Sequence, residues 1–210
     1  MSSDLPPGLE GTLTETSSGG AGDWLAFDTK RWYTNAFIIE DHPTEVKILL
    51  GYKKRGFGVG LWNGFGGKVE PGETPVQAAI REMKEECDIT APLEHCGSLL
   101  FVLEGAPQGA FQIEVYRAAT YTDTIAERVF PSSPLRTDEM RPQWFAAPKA
   151  VDGSVASSGL PPIPYDTMWD DDIHWMPLML AGKKFVGRAD FQPTTAGKYE
   201  MRRYWFGTPS

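Results

Sequence analysis

The feature that most constrains this chain is a helix-forming segment that places three glutamates on one face, directly after a glycine-rich loop. A Thr-x-x-Gln capping box begins at Thr74 and predicts the helix start there. Glu82, Glu85 and Glu86 follow at positions i, i+3 and i+4, so their side chains share a face. The opposite face is predicted to be buried, because apolar side chains recur along it at helical spacing. Those side chains are Val76, Ala79, Ile80, Met83 and Cys87.

Three like charges at this spacing are unfavourable, by roughly 0.2–0.5 kcal/mol for each pair. A divalent cation would compensate them, since carboxylate oxygens are the ligands that Mg²⁺ prefers and usually shares with substrate phosphates. The alternative is a solvated acidic face, which is the more common interpretation of a bare Glu-x-x-Glu-Glu. Gly67 and Glu73 before the helix, together with Arg81 within it, extend the three acids to a longer pattern.

The complete pattern, Gly-x5-Glu-x7-Arg-Glu-x2-Glu-Glu from Gly67 to Glu86, resembles the Nudix box, the signature of the Nudix hydrolases. Asp88 stands where that box normally has its last glycine. Because Asp tolerates the left-handed conformation, we expect the helix to end there all the same. The resemblance implies an α/β fold, a Nudix-type α/β/α sandwich with a mixed β-sheet. The order of strands and helices along the chain suggests the same architecture.

The resemblance also implies roles for the acids. Glu82 and Glu86 would bind Mg²⁺, with Mn²⁺ as an alternative, and Glu86 would be a candidate base for the attacking water. Glu85 would contribute through a second ion or a water, and Glu73 would pair with Arg81 in an architectural role. The implied catalytic residues are therefore Glu86, Glu82 and Glu85. The implied metal ligands are Gly66, Glu82, Glu85, Glu86 and Glu139.

From about residue 31 to the C-terminus, the flanks resemble the members of this family that hydrolyse oxidised purine nucleoside triphosphates. Arg-Gly-Phe-Gly ahead of the box and Met-Trp-x-Asp-Asp well after it carry the match. It implies that Asn63, Asp171 and Asp172 read the purine edge. Trp169 would stack on the base, and Lys53 would lie near the phosphates. The implied substrate-binding residues are Thr34, Lys53, Phe57, Asn63, Phe101, Phe111, Trp169, Asp171, Asp172 and Trp175.

The paired acids have a chemical consequence. Two adjacent acids that face one base can hardly both be ionised, so one is expected to keep its proton. Moving that proton between Asp171 and Asp172 could let one pocket accept both 8-oxoguanine and 2-oxoadenine edges. The alternative is a solvated helix N-terminus, where acids are favourable anyway. The aromatic residues have an alternative too, since Phe101, Phe111 and Trp175 could simply belong to the core.

Two departures from the close relatives concern the same region. Asp170 replaces their proline and is expected to add a third negative charge beside the pocket. Phe111 replaces their methionine, so a stiffer side chain stands in place of an adaptable one. Both substitutions are predicted to influence which base is preferred.

Aromatic and β-branched density predicts the strands, and a second helix is predicted at about 173–181. Asp171 or Asp172 would cap that helix, and Gly182 would end it. The predicted strands are 32–40, 46–52, 97–103, 111–120, 141–145, 184–190 and 198–206.

Residues 1–22 are rich in Gly, Ser, Thr and Pro and are expected to form a disordered N-terminal tail. Residues 23–210 are expected to be a single Nudix hydrolase domain. A long loop is expected at about 146–166, where Pro, Gly and Ser again accumulate.

The composition restricts the class of partner. A formal net charge of −8 argues against a protein that grips a nucleic acid polymer by its phosphates. No apolar run is long enough for a membrane span, and the N-terminus lacks the features of a signal peptide. Two cysteines are too few for a disulfide scaffold. We therefore expect a cytoplasmic monomer, with nuclear or mitochondrial pools as alternatives. His42, His95 and His174 show no metal-ligand spacing.

The sequence thus predicts an enzyme that hydrolyses oxidised purine nucleoside triphosphates and thereby cleans the nucleotide pool. One rival is a Nudix hydrolase of another nucleotide, such as ADP-ribose, a dinucleotide or a cap. Another rival is a non-catalytic module that only binds nucleotides. The presence of every acid of the box, together with Arg81, gives no reason to expect an inactive site.

Overall fold

The computed structural model describes residues 5–106, 109–122, 139–149, 158–195 and 197–210. The strands are β1 (Leu13–Gly20), β2 (Lys30–Asp41), β3 (Glu45–Lys53), β4 (Trp62–Asn63), β5 (Glu94–Leu103), β6 (Ala110–Ala118), β7 (Met140–Pro148), β8 (Phe185–Pro193) and β9 (Tyr199–Pro209). The helices are α1 (Pro75–Cys87), α2 (Asp172–Leu180) and a short 3₁₀ turn (Tyr165–Thr167). Within these described ranges, no helix has the length and apolar character that a membrane crossing requires.

The chain divides into two compact units, each of which makes most of its contacts within itself. Unit 1 combines Met1–Tyr33, Cys96–Val115 and Asp170–Ser210, and unit 2 combines Thr34–His95 and Tyr116–Trp169. The expectation of a single domain over residues 23–210 stays a prediction.

Unit 1 contains a mixed sheet with the strand order β1-β9-β8-β5-β6. β5 and β8 pair in parallel, from Gly97 opposite Phe185 onward, whereas β9 pairs antiparallel with both β8 and β1. Buried Leu100, Val102 and Ala110 form a small core there. Three apolar side chains of the N-terminal segment pack against this core: Leu9, Leu25 and Phe27.

Unit 2 is built around β3, which pairs antiparallel with β2, β4 and β7. Helix α1 contributes Ala79, Met83 and Cys87 to the main core of this unit. They recur every four residues, so one strip of the helix faces inward. They pack with Ile38 of β2 and Leu49 of β3.

The predicted ends of α1 are confirmed. Thr74 Oγ1 accepts from the Gln77 backbone N–H, and the Gln77 side chain accepts from the Thr74 N–H, which completes the capping box. Asp88 adopts the left-handed conformation at φ 58°, as its substitution for glycine predicted. Its N–H donates to Lys84 O, so the helix closes without a glycine.

The face of α1 differs from the prediction at one point. Ile80 is 38% exposed, whereas Ala78 is buried in its place. Glu86 is buried as well, although it was expected on the opposite, outer face. The helix is therefore covered along the apolar strip of Ala79, Met83 and Cys87 and also along an adjacent strip that includes Glu86.

The prediction of a disordered N-terminal tail is wrong for the described residues 5–22. Leu13–Gly20 forms β1, whose backbone pairs with β9 from Leu13 opposite Pro209 to Gly20 opposite Arg203. The residues of β1 show no strand pattern, because this strand is held by main-chain hydrogen bonds at a sheet edge and its side chains are mostly exposed. The other strand missed was β4, which has two residues.

The predicted strands are otherwise present, with ends shifted by a few residues. The loop expected at 146–166 begins later, because β7 continues to Pro148 by pairing with β3. Residues 150–157 of that loop lie outside the described residues.

Candidate active site

The glycine-rich loop of unit 2 lies directly against the carboxylate strip of α1. The Gly66 N–H donates to Glu86 Oε2 across 2.9 Å, and the Thr34 N–H donates to Gly67 O across 2.8 Å. A Cβ at Gly66 would collide with Thr34 O, and one at Gly67 would lie 2.5 Å from Glu82 Oε1. Gly66 is therefore needed for the close approach of loop and strand, and Gly67 leaves room for the Glu82 carboxylate.

Lys53 bridges two of the predicted metal ligands. Its Nζ lies 2.6 Å from Glu139 Oε1 and 3.7 Å from Glu86 Oε1. Arg55 reaches the other oxygen of Glu139 at 3.7 Å. The side chain of Lys53 is 18% exposed and that of Glu86 is 6% exposed, so these charges interact with little water between them.

Arg81 organises the remaining acids. Its Nε and one terminal nitrogen donate to the two oxygens of Glu73 at 2.7 and 3.0 Å, and its other terminal nitrogen donates to Glu82 Oε1 at 2.8 Å. This two-pronged pairing with Glu73 is the architectural contact that the sequence predicted. Glu85 lies at the margin, with 60% of its side chain exposed and a 3.4 Å contact to Arg81.

The environment divides these acids into two groups. Burial raises the pKa of Glu86 to about 7, against the opposing effects of the Gly66 N–H and Lys53. Burial also raises the pKa of Glu82. Hydrogen bonds from Arg81 and Lys53 instead lower the pKa values of Glu73 and Glu139, respectively. The pKa values of buried Glu86 and half-buried Glu82 are thus raised, whereas those of Glu73 and Glu139 are lowered.

This arrangement fits a hard divalent cation. The donors are oxygen atoms, and Glu82 and Glu139 each raise the pKa of Glu86 by charge repulsion. A cation would relieve that repulsion. Among the described residues no three acidic, His or Cys side chains already surround one point as a metal cage. That is compatible with Mg²⁺, which is commonly held by one or two carboxylates, waters and substrate phosphates.

The predicted base-binding residues of unit 2 occupy defined positions. Asn63 is half-buried at the end of β4, and its Oδ1 accepts from the Gly64 N–H and from Asn35 Nδ2, each at 2.8 Å. Phe57 and Trp169 stack on each other with ring centroids 5.1 Å apart. Phe57 is 61% exposed, so these rings form an apolar platform that water reaches.

In unit 1, the two predicted acids at the start of α2 are buried, at 0% exposure for Asp171 and 2% for Asp172. The alternative of a solvated helix N-terminus is therefore wrong. Asp171 makes no side-chain cap to the helix, contrary to one of the predicted caps; its Oδ2 accepts from Trp175 Nε1 at 2.8 Å. Within the described part of the chain, Asp171 Oδ1 is a buried atom without a hydrogen-bond partner. Burial raises the pKa of Asp171.

The aromatic residues predicted to line a pocket in unit 1 differ in accessibility. Trp175 is 1% exposed, stacks on Phe185 and donates its Nε1 N–H to Asp171 Oδ2. Phe101 is half-buried and meets Phe191 edge-on, and Phe111 is half-buried beside Tyr33.

Asp170 does not act only as an extra charge. Its Oδ2 accepts from the Met201 N–H of β9 at 2.9 Å, which anchors the residues before α2. It also raises the pKa of Asp171 by charge repulsion, a smaller cause than burial.

In unit 2, then, the structure brings together Gly66, Glu82, Glu86, Glu139 and Lys53, with Thr34 supporting the loop. Sequence reasoning missed Asn35 and Arg55. Asn35 could have been noticed as a lone amide inside the apolar run of β2. Arg55 could not, because it is one of several basic residues before the loop.

Comparison with known proteins places this geometry in context. The family model of the NUDIX domain matches residues 30–165. The chain is similar to the oxidized purine nucleoside triphosphate hydrolase of Danio rerio, at 44% identity over 147 residues, covering 70% of this chain and 80% of that protein. The protein of the same name from Mus musculus is 37% identical over 176 residues, covering 83% of this chain and 96% of that protein. The structure of the mMutator MutT protein from Bacillus halodurans matches with a TM-score of 0.51 at 22% identity, covering 84% of this chain and 97% of that chain. This likeness confirms the predicted fold class.

Proposed function

The chain belongs to the NUDIX domain family, and from that premise we propose that it hydrolyses oxidised purine nucleoside triphosphates to the monophosphate and pyrophosphate. Substrates would include 8-oxo-dGTP and 2-oxo-dATP, and the reaction would clean the nucleotide pool. The single observation that carries the catalytic part is the buried Glu86 carboxylate, held by Gly66 and placed between Lys53 and the other acids.

The substrate is inferred from two sources. Both curated relatives are named for oxidised purine nucleoside triphosphates. Asp171 supports a role in base recognition, because a buried polar oxygen without a hydrogen-bond partner is costly unless a ligand or water completes it. Asn63 and the Phe57–Trp169 platform supply a polar contact and a stacking surface of the kind that recognises a base.

We propose Mg²⁺ as the cofactor, with Mn²⁺ as an alternative. Glu82, Glu86 and Glu139 would hold it, with contributions from Glu85 and the Gly66 carbonyl. Bound there, it would neutralise the phosphate charge and make water a stronger acid.

The residues of unit 2 then have distinct tasks. Glu86 would accept a proton from the attacking water as the new O–P bond forms and the bond to pyrophosphate breaks. Without a metal, burial raises the pKa of Glu86 to about 7; a bound cation would lower that pKa, so the carboxylate would be ionised and able to accept the proton at neutral pH. Arg81 would hold Glu82 in place, and Lys53 would exchange its contact with Glu139 for phosphate oxygens.

Pyrophosphate release in the presence of Mg²⁺ tests the proposal, with 8-oxo-dGTP, 2-oxo-dATP, dGTP and ADP-ribose compared side by side. We expect either oxidised triphosphate to exceed dGTP in kcat/KM. Hydrolysis of ADP-ribose alone would leave the metal site standing and overturn the assignment of the base-binding residues.

A Glu86→Gln variant separates an enzyme from a binding module. We expect kcat to fall by about 10²–10⁴-fold while nucleotide binding survives, because loss of a general base has effects of that size. Glu94→Gln on β5 is the matched control, since Glu94 is exposed and has no place in the proposed site. Unchanged turnover in Glu86→Gln would rule out the assigned base.

We further propose a monomer that acts in the cytoplasmic nucleotide pool, with nuclear or mitochondrial pools as alternatives. The partner is a small nucleotide and not a nucleic acid polymer, consistent with the net charge of −8. Sedimentation would test the monomer, and fractionation of cells would test the compartment.

A further inference from the structure

Two amide side chains of unit 2 form a pair beside the glycine loop. Asn35 on β2 is 9% exposed and donates its Nδ2 to Asn63 Oδ1 across 2.8 Å. The Gly64 N–H donates to the same oxygen, also across 2.8 Å. Asn35 stands between Thr34 and the buried Ala36 and Phe37, so an amide here needs a reason beyond packing.

The chemistry of Gly64 fixes the orientation of both amides. A backbone N–H can only donate, so the atom of Asn63 that faces it is the oxygen. The atom of Asn35 that faces this oxygen must then be its nitrogen. Turning Asn63 over would place its NH₂ group against the Gly64 N–H, with the loss of that hydrogen bond and, unless Asn35 turns as well, of the one from Asn35. The Asn63 amide is therefore locked in one orientation.

Gly64 also makes the pair sterically possible. A Cβ at this position would collide with Asn35 Oδ1 and lie 2.6 Å from Phe37 Cζ. The neighbouring bridge between Ala36 and Phe65 holds β2 and the loop at this spacing through N–H···O bonds of 2.7 and 2.9 Å. The amide pair is thus supported by backbone contacts on both sides.

The lock determines what Asn63 offers to a ligand. Its oxygen is occupied twice, and within the described part of the chain its Nδ2 makes no hydrogen bond. We propose that Asn35 is a positioning residue that, together with the Gly64 N–H, holds Asn63 as a hydrogen-bond donor. The site would then favour purines with a carbonyl oxygen at the edge facing Asn63, such as 8-oxo-dGTP, and would accept less well those with an amine there, such as 2-oxo-dATP. This inference rests on the proposed function and deepens it.

The experiment compares two substrates that differ at one exocyclic position. 8-oxo-dGTP has a carbonyl at C6, and the triphosphate of 8-oxo-2,6-diaminopurine deoxynucleoside has an amine there. Asn35→Asp replaces the donor facing Asn63 Oδ1 with an acceptor, which favours the turned-over amide and an outward oxygen. Asn35→Leu removes the donor at similar size and leaves only the Gly64 contact.

We expect the wild type to prefer the carbonyl substrate. Asn35→Asp should reduce the ratio of the two kcat/KM values by about tenfold or more, as loss of one well-made hydrogen bond would. The change should fall mainly on KM, since base binding is affected and not the chemical step. Asn35→Leu should reduce the ratio less. Circular dichroism and thermal unfolding establish that each variant is folded. If Asn35→Asp does not fold, the ratio measured for Asn35→Leu tests the inference.

A double-mutant cycle tests whether Asn35 acts through Asn63. In an Asn63→Ala background, Asn35→Asp should leave the ratio unchanged. A ratio that is unaffected by both folded Asn35 variants would overturn the inference, and so would an equal effect in the Asn63→Ala background. If the wild type hydrolyses neither substrate, the proposed function itself fails. If the wild type is active but the Asn35 variants leave the ratio unchanged, only the inference on Asn35 fails.

Discussion

The backbone N–H of Gly66 donates to Glu86 Oε2 across 2.9 Å, and this contact joins the glycine loop to a carboxylate whose side chain is 6% exposed. One neutral donor and Lys53 at 3.7 Å do not fully replace the water that the carboxylate loses. Burial therefore dominates and raises the pKa of Glu86 to about 7. A carboxyl group that would have an ordinary pKa in solvent thus acquires a raised pKa because the glycine loop and its neighbours bury it.

That raised pKa predicts how the metal-free protein responds to pH. A carboxyl group whose pKa is higher in the folded than in the unfolded state stabilises the fold when it is protonated. The contribution of Glu86 is thus fully present below about 4.5 and is lost as the pH rises through about 7. Glu86→Gln is neutral throughout, so its free energy of unfolding relative to the wild type should rise by on the order of 3 kcal/mol across this window.

Urea unfolding with a chelator present, at about pH 4.5 and about pH 8, measures this difference. Comparing the two proteins at each pH cancels the other titrating groups, including Glu73 and Glu139, whose lowered pKa values act in the opposite direction. A stability difference that does not change with pH would contradict the assignment.

Arg81→Lys should impair catalysis without unfolding the protein. Lysine keeps the charge but cannot donate simultaneously to Glu73 at 2.7 and 3.0 Å and to Glu82 at 2.8 Å, as the guanidinium does. Misplacing Glu82 should lower kcat by up to about a hundredfold, since small displacements of catalytic groups have effects of that size. Steady-state kinetics would measure this loss, with Arg31→Lys at the exposed start of β2 as control. Equal kcat values for Arg81→Lys and the wild type would mean that the guanidinium contacts to Glu73 and Glu82 are dispensable.

Asp171→Asn and Asp172→Asn should affect the two oxidised substrates unequally. Burial favours the protonated form of Asp171, and Trp175 Nε1 at 2.8 Å occupies one of its oxygens. An amide at 171 can donate where a protonated acid donates, but it cannot switch to accepting at the same atom. The kcat/KM ratio for 8-oxo-dGTP and 2-oxo-dATP should therefore change in opposite senses or to different extents in the two variants. Equal losses on both substrates would count against proton exchange between these acids.

Deletion of residues 1–22 should destabilise the protein, although the sequence suggests a dispensable tail. Arg188 is fully buried, and it donates to Pro7 O at 2.6 Å and to Asp190 at 2.8 Å. Removing Pro7 leaves a buried donor unpaired, and removing β1 exposes the edge of β9. We expect the Tm to fall by about 5 °C or more. Deletion of residues 1–4 is the control, and an unchanged Tm in the longer deletion would show that β1 adds nothing.

The sequence predicted α1 correctly at both ends, because the determinants are local. The capping box at Thr74 and the left-handed Asp88 involve residues within four positions of each other. Glu73 lies eight positions before Arg81, but one helix and the turn before it are still enough to bring Glu73, Arg81 and Glu82 into contact. The density of aromatic and β-branched residues likewise located most strands, since it too is a local property of the sequence.

The sequence by itself therefore determined the local backbone, the set of acids and the family. Only the tertiary structure decided which acid is buried, since Glu85 and Glu86 are neighbours in sequence yet 60% and 6% exposed. It also decided that β1 has a partner, and that Asn35 meets Asn63 across 28 positions. The physical reason is that burial and hydrogen-bond partners depend on segments far apart in the chain. A side chain's neighbours along the sequence do not reveal the dielectric environment or the donor that it meets after folding.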